Sequence, residues 1–177
     1  MNKQKIDQIE QQAEQILRDS GAYSVPVPVD RVARHLNLKA QSSPLGDKVS
    51  GVLVVENLRG AIAYNSSHAP VRQRFTIAHE KGHNFLHVIQ KNTHSRLFID
   101  RYIAHRDEDS STGNDHEEVE ANSFGAALLM PAKLVREEIK RYGLDLDDEE
   151  DLSRLAKRFN VSSTAMSYRL GTLGLLR

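Results

Sequence analysis

Two histidines four residues apart, with a glutamate directly after the first, are the residues of this chain best suited to catalysis. His79, Glu80 and His83 form the pattern H-E-x-x-H. On a helix, residues four apart lie on the same face one turn away. Both imidazoles could then bind one Zn²⁺, and Glu80 could reach a water at the open coordination position. The pattern predicts a zinc hydrolase site; the alternative is a surface helix that carries two histidines by chance.

A third protein ligand is needed to complete such a site. The chain has no cysteine, so the ligand must be a histidine or a carboxylate. Glu118 and Asn122 lie four residues apart on a second predicted helix, over residues 116–131. Glu118 could bind the metal while Asn122 orients a metal-bound histidine. We expect Glu117 and Glu120 to be solvated, and an acidic first turn that favours the helix dipole is the alternative for the whole cluster.

The helix predicted over residues 71–89 carries apolar residues at helical spacing next to the histidines. His87 continues the histidine row, but it lies about 12 Å along the axis from His79. We therefore interpret it as a flanking residue. Gly82 costs about 1 kcal/mol relative to alanine in a helix. Either another backbone packs against it or the glycine is merely tolerated.

The two motifs together resemble the ImmA/IrrE family of metallopeptidases. The resemblance rests on H-E-x-x-H followed by E-x-E-A-N-x-F-x-A-x-L-L-M-P, and it extends from residue 72 to residue 131. The helical pattern around residues 155–162 also resembles the region that follows the protease core in this family. Two positions depart from the usual pattern: Lys81 replaces an apolar residue and Gly125 replaces an alanine.

The resemblance implies a site and a substrate. His79, His83 and Glu118 would bind the zinc, and Glu80 would be the general base. Members of this family typically cleave a helix-turn-helix repressor encoded nearby, so the expected partner is an XRE-type repressor. The alternative is a non-catalytic module that contacts a partner protein or DNA through its C-terminal helices.

Several further elements can be read from apolar periodicity and turn residues. We predict an amphipathic first helix that stops at Gly21, a short helix capped by Asp30, and a β-hairpin over residues 49–64. A long polar connection over residues 90–115 contains a short strand at 96–100 and is predicted to be functional or mobile. The oxyanion-stabilising donor should lie near this connection, and its candidates are Tyr102, His105 and His94.

The C-terminal third predicts two short helices around a turn at residues 160–161, which resembles a helix-turn-helix. Acidic residues precede this unit and the net charge is zero, so direct DNA binding is disfavoured. The N-terminus is polar and no apolar run approaches the length of a membrane span, so we expect a cytoplasmic protein. The expected fold is α+β, with a zincin-like metallopeptidase domain over residues 1–143 and a helical appendage over residues 144–177.

Overall fold

A computed structural model describes residues 1–57, 59–101 and 112–176 of the chain. These residues form seven α-helices and one four-stranded sheet. A π-helical segment, His83–Ile89, continues the third helix. The helices are α1 (Lys3–Asp19), α2 (Val29–His35), α3 (Pro70–Gly82), α4 (Thr112–Leu129), α5 (Ala132–Tyr142), α6 (Glu149–Phe159) and α7 (Ser163–Thr172). The strands are β1 (Leu38–Ser43), β2 (Val49–Glu56), β3 (Arg59–Asn65) and β4 (Ser95–Arg101). The α+β prediction is therefore confirmed.

The sheet has the strand order β1-β3-β2-β4. Strands β2 and β3 form the predicted antiparallel hairpin, and Asn57 has the positive φ of 49° that a tight turn favours. Strand β1 pairs parallel to β3, whereas β4 runs antiparallel to β2 at the other edge. The short strand predicted within the polar connection is confirmed as β4. Residues 102–111 of that connection lie outside the described residues.

The helix that carries the H-E-x-x-H motif is continuous, but it changes from α-helical to π-helical at His83. Pro70 occupies the first turn of α3, where its missing N–H costs nothing. From His83 onward the segment is π-helical, which differs from the uniform α-helix that the periodicity predicts. Five residues of this segment are buried, so its buried arc is wider than one α-helical face: His83, Asn84, Leu86, His87 and Val88.

Two glycines let α3 and α4 cross at backbone distance. A Cβ atom on Gly82 would lie 3.0 Å from the Cα and the carbonyl oxygen of Ala121. A Cβ on Gly125 would lie 3.2 Å from the backbone nitrogen of His79. Close packing of another backbone therefore explains the glycine at position 82. The same crossing explains why position 125 holds the smallest residue, and it fixes α4 against the histidine motif.

The C-terminal helices pack into the same core as the N-terminal part of the chain. The main buried cluster combines Ile9 and Leu17 of α1 with Leu128 of α4, Phe159 of α6 and Leu170 of α7. The predicted pair of helices around a turn is confirmed: Asn160 takes a left-handed conformation, and the Ser162 hydroxyl accepts from the Ala165 N–H. The division at residue 143 stays a prediction.

Two predicted helix ends can be compared with the structure. Helix α1 ends at Asp19, and Gly21 follows with a positive φ of 64°, so its predicted stop is confirmed. The prediction that Asp30 caps α2 is wrong, because Pro28 is the capping residue and Asp30 lies inside the first turn. An acidic side chain there still favours the helix dipole. Among the described residues, no helix is long and apolar enough to cross a membrane.

Candidate metal centre

The two histidines of the motif direct their imidazoles to one point, as helical spacing predicts. The Nε2 atoms of His79 and His83 are 3.1 Å apart. Both side chains are buried, His79 on the last turns of α3 and His83 at the start of the π-helical segment. Because the turn between them is α-helical, the four-residue spacing places both rings on one face of the helix, with their planes 80° apart.

Glu118 reaches the same point from α4. Its carboxylate oxygens lie 3.3 Å from Nε2 of His79 and 3.1 Å from Nε2 of His83. Zn²⁺ binds nitrogen and oxygen at about 2.0–2.2 Å, so the ligand atoms of a tetrahedral site are about 3.3 Å apart. The two imidazole nitrogens and the Glu118 carboxylate are therefore spaced much as the ligands of such a site are, with one carboxylate oxygen near each histidine. Among the described residues these three side chains form a group able to hold a metal ion.

The hydrogen bonding of His79 also favours a cation at this point. Oδ1 of Asn122 lies 3.1 Å from Nδ1 of His79. A carbonyl oxygen accepts, so Nδ1 carries a proton. The Nε2 lone pair of the neutral ring is then available to a cation that Glu118 also binds. Burial acts to raise the pKa of the Glu118 carboxyl, but the adjacent imidazoles outweigh it and hold that pKa well below its usual range.

Glu80 lies beside these groups as a buried carboxylate without a partner. Its side chain is fully buried, and neither oxygen has a hydrogen-bond partner among the described residues. Burial, with the nearby carboxylates Asp100 and Glu118, raises the pKa of Glu80 to about 8. A buried, unpaired carboxylate is costly for folding. Buried titratable groups with a strongly shifted pKa are typical of catalytic sites.

Strand β2 leaves room for Glu80 only because residue 51 is a glycine. A Cβ atom on Gly51 would lie 2.7 Å from Oε1 of Glu80 and would collide with the methyl group of Thr76. Asp100 of β4 pairs with Gly51 across the sheet. Since cross-strand partners point to the same face, Asp100 is directed toward Glu80. Burial is the main cause that raises the pKa of Asp100.

The neighbouring carboxylates of α4 are engaged elsewhere, so the expectation that they are solvated is wrong. Glu117 pairs with Lys91 at 2.8 Å and with Arg96 at 2.6 Å. Glu120 pairs with Lys5 at 3.2 Å. The Glu117 and Glu120 side chains are only 19% and 23% exposed. Neither belongs to the group that could hold a metal.

His87 lies outside the three-residue group, as predicted for a flanking residue. It is buried, and its Nε2 lies 3.2 Å from the carbonyl oxygen of Glu117. Of the oxyanion candidates, His94 is exposed, whereas Tyr102 and His105 lie outside the described residues. Lys81, one of the two departures from the family pattern, points away from the site. Its buried ammonium donates to the Val29 carbonyl at 2.6 Å, and burial lowers its pKa to about 7.

Sequence reasoning missed Gly51, Phe98 and Asp100. Phe98 stacks on His83 with a centroid distance of 4.4 Å. The alternation of β4 could have placed Phe98 and Asp100 on one face, since Leu97 and Ile99 are exposed. Which helix that face covers depends on the sheet order, which local sequence does not determine.

Fold and site define an α+β protein with a small zincin-like core, a buried His-His-Glu group and a helical C-terminal part. Residues 33–171 match the peptidase family described as the IrrE N-terminal-like domain. The chain belongs to this family, which confirms the predicted ImmA/IrrE membership.

Two relatives and one solved structure illustrate the similarity. The radiation response metalloproteases IrrE of Deinococcus radiodurans and Deinococcus deserti are each 35% identical to this chain over 112 residues, or 62% of it. The chain spans only about a third of their length, 30% and 35% respectively. A structure described as a Mycobacterium tuberculosis transcriptional regulator superposes with a TM-score of 0.62 at 18% identity, over 93% of this chain and 46% of that one. At that identity the likeness concerns the fold alone.

Proposed function

We propose that this chain is a zinc-dependent endopeptidase in which His79, His83 and Glu118 hold the metal and Glu80 is the general base. The observation that carries the proposal is the buried carboxyl group of Glu80, which has no hydrogen-bond partner among the described residues and lies beside three converging candidate ligands. The donor set of two imidazoles and one carboxylate is that of zinc peptidases, and it leaves one coordination position open. A purely structural zinc site would be closed by a fourth protein ligand.

Each side chain has a role that its position supports. When bound, Zn²⁺ supplies Lewis acidity that polarises the scissile carbonyl and lowers the pKa of a water toward about 7. Glu80 accepts the proton of the attacking water and delivers it to the leaving amine nitrogen. Asn122 accepts from His79 Nδ1, which keeps the Nε2 lone pair directed at the metal.

The edge of the sheet offers a place for the substrate backbone. Within the described residues, β4 pairs with β2 on one side only. Leu97 and Ile99 are 58% and 46% exposed on its outer face, while Phe98 covers His83 on its inner face. An extended substrate segment could add to this edge by β-augmentation, which would bring a peptide bond to the metal.

The substrate that the family resemblance favours is an XRE-type helix-turn-helix repressor, cut at one site to relieve repression. The test is to incubate zinc-loaded protein with the repressor encoded nearby and to map the products by mass spectrometry. One defined cut is expected, which a chelator and the Glu80→Gln substitution both abolish. An intact repressor under conditions where unfolded casein is degraded would contradict repressor specificity. A stable uncleaved complex would favour a non-catalytic binding module.

A further inference from the structure

A groove of about 990 Å³ separates the metal helix from the last helix of the chain. We call it the α7 groove. Its walls come from α1, α3, α4 and α7, and its lining includes Phe75, Asn122, Ala126, Met130, Ala165 and Tyr168. The lining is mainly apolar, and the volume is at the upper end of the roughly 300–1,000 Å³ that ligand pockets occupy. It can therefore hold more than one side chain.

The α7 groove is continuous with the candidate metal centre. Asn122 lines the groove and also contacts the imidazole of His79. Phe75 lines it as well, and its ring stacks on His79 with centroids 6.4 Å apart and planes 29° apart. A polypeptide whose scissile bond lies at the metal would therefore have neighbouring residues at the mouth of this groove.

Helix α7 is built to form a groove wall and is poorly suited to reading DNA. Its only basic residue, Arg169, is 4% exposed, pairs with Glu10 of α1 and donates to the Met130 carbonyl at 2.9 Å. Exposed Arg or Lys side chains, which supply most of the affinity of DNA-binding helices, are absent from α7. Its outer surface carries hydroxyl groups and Tyr168, which is 75% exposed.

Tyr168 is exposed at the edge of the apolar lining of the groove. An aromatic side chain with a polar tip in this position is typical of residues that dominate binding energy in protein recognition. The Arg169–Glu10 pair neutralises the charges at the α7 wall, and Arg72 of α3 also lines the groove.

We propose that the α7 groove binds the segment of a polypeptide substrate next to the scissile bond and selects a large apolar side chain there, with Tyr168 as the rim contact. The helix-turn-helix-like unit would thus serve as part of the substrate-binding surface. This inference rests on the proposed peptidase function.

The test compares cleavage specificity among matched variants. A peptide library prepared from a digested bacterial proteome is incubated with the zinc-loaded protein, and the cut positions are read by mass spectrometry. The wild type should favour a large apolar residue at one subsite. Ala126→Phe, which fills the groove, and Tyr168→Ala, which removes the rim contact, should raise KM for such peptides by about tenfold or more with little change in kcat. Ala61→Phe, at an exposed position on β3, is the control for added bulk. Unchanged specificity in both groove variants would overturn the proposal while the peptidase function stands.

A binding measurement separates failure of the groove from failure of the chemistry. Zinc-loaded Glu80→Gln protein with labelled methyl groups is titrated with apolar peptides from the same library. Shifts at Ala126, Met130 and Ala165 support binding of apolar peptides in the groove. If the wild type cleaves nothing, such shifts would contradict the peptidase function and leave the groove as a peptide-binding site. Absence of shifts at these methyls while other surfaces respond, or a response of α7 to duplex DNA instead, would overturn the groove proposal.

Discussion

The aromatic ring of Phe98 stacks on the imidazole of His83, with ring centroids 4.4 Å apart and planes 27° apart. The two candidate histidine ligands are therefore oriented by different means. His79 is held by a hydrogen bond to Asn122, whereas Nδ1 of buried His83 has no hydrogen-bond partner among the described residues. Arg96 lies 4.5 Å from the Phe98 ring centroid, on a strand tied to α4 by Glu117. Packing against β4 thus takes the place of a hydrogen bond at the second candidate ligand.

The Phe98→Leu substitution should weaken metal binding by about tenfold, the lower end of what loss of a ligand-orienting residue costs. Leucine keeps an apolar contact but lacks the flat face that restrains the His83 ring. Chelator competition measures the affinity, and the absorption spectrum of the cobalt-substituted protein reports the ligand geometry. Phe98→Tyr, which keeps the flat ring, should have the wild-type affinity and cobalt spectrum. Leu97→Ala, on the exposed face of the same strand, is the control. Wild-type affinity in Phe98→Leu would show that the stacking is incidental.

The ligand assignment predicts a sharp difference between two glutamates of α4. Glu118→Gln should lower zinc affinity far more than Glu120→Gln, because only Glu118 lies within 3.3 Å of both imidazoles. His83→Ala should abolish stoichiometric metal. Elemental analysis of the purified variants provides the measurement. Full zinc occupancy in His83→Ala, or a larger loss in the Glu120 variant, would refute this set of ligands.

The local parts of this site are predictable from sequence because their spacing is helical. His79 and His83 lie one turn apart on one helix, and Glu118 and Asn122 lie one turn apart on another, so each pair can be placed without knowledge of the fold. The hairpin and the strand β4 follow from alternation and turn residues. What brings Glu118 to the histidines is the crossing of two helices, and the sequence shows this only as unexplained glycines at positions 82 and 125.

The rest of the site depends on contacts between distant segments. Gly51 is 29 positions before Glu80, and no local pattern links a strand glycine to a helical carboxylate. Lys81 stands where the family usually has an apolar residue, and the Val29 carbonyl of α2 that accepts from its buried ammonium could not be predicted from the local sequence. The α7 groove cannot be predicted from local sequence patterns for the same reason, because four separate helices form it.

Replacing Glu80 by glutamine should stabilise the metal-free protein. Burial raises the pKa of Glu80 to about 8, and neither oxygen has a hydrogen-bond partner among the described residues. At neutral pH folding must therefore either bury the charge or take up a proton, a free-energy cost that a neutral amide of the same size avoids. We expect a gain of at least about 1 kcal/mol, which for a chain of this length raises Tm by about 2–4 °C. Thermal unfolding by circular dichroism after chelation measures the change. Glu56→Gln, at an exposed position, should leave Tm unchanged. A destabilised Glu80 variant would mean that the carboxylate has a structural partner.

The Gly51→Ala substitution should impair catalysis more than metal binding. The added methyl group would meet Oε1 of Glu80 at 2.7 Å and the side chain of Thr76 closer still, so the base must move. The metal ligands are not contacted, and zinc content should remain close to stoichiometric. The expected result is a fall in kcat of about 100-fold, since a displacement of about 1 Å at a catalytic group can cost that much. Thr76→Ser combined with Gly51→Ala removes one of the two collisions and should recover part of the loss. Unaltered kcat in the single variant would exclude a role for this packing.

Because α3 and α4 cross at backbone distance, replacement by alanine should have opposite effects on stability at two helical glycines, Gly171 and Gly82. Alanine favours helix formation over glycine by roughly 0.5–1 kcal/mol. At Gly171 in α7 a Cβ atom would meet nothing within 4 Å, so Gly171→Ala should stabilise the protein by about that amount.

At Gly82 the same methyl group would lie 3.0 Å from the Ala121 backbone, and two packed helices must separate to admit it. Overpacking of this kind costs about 1–3 kcal/mol, which exceeds the gain in helix propensity. Gly82→Ala should therefore lower the free energy of unfolding in urea, and because it shifts Glu118 relative to His79 and His83, it should also weaken zinc binding. If Gly82→Ala were as stabilising as Gly171→Ala and bound zinc normally, the close crossing of α3 and α4 would not be what positions the third ligand.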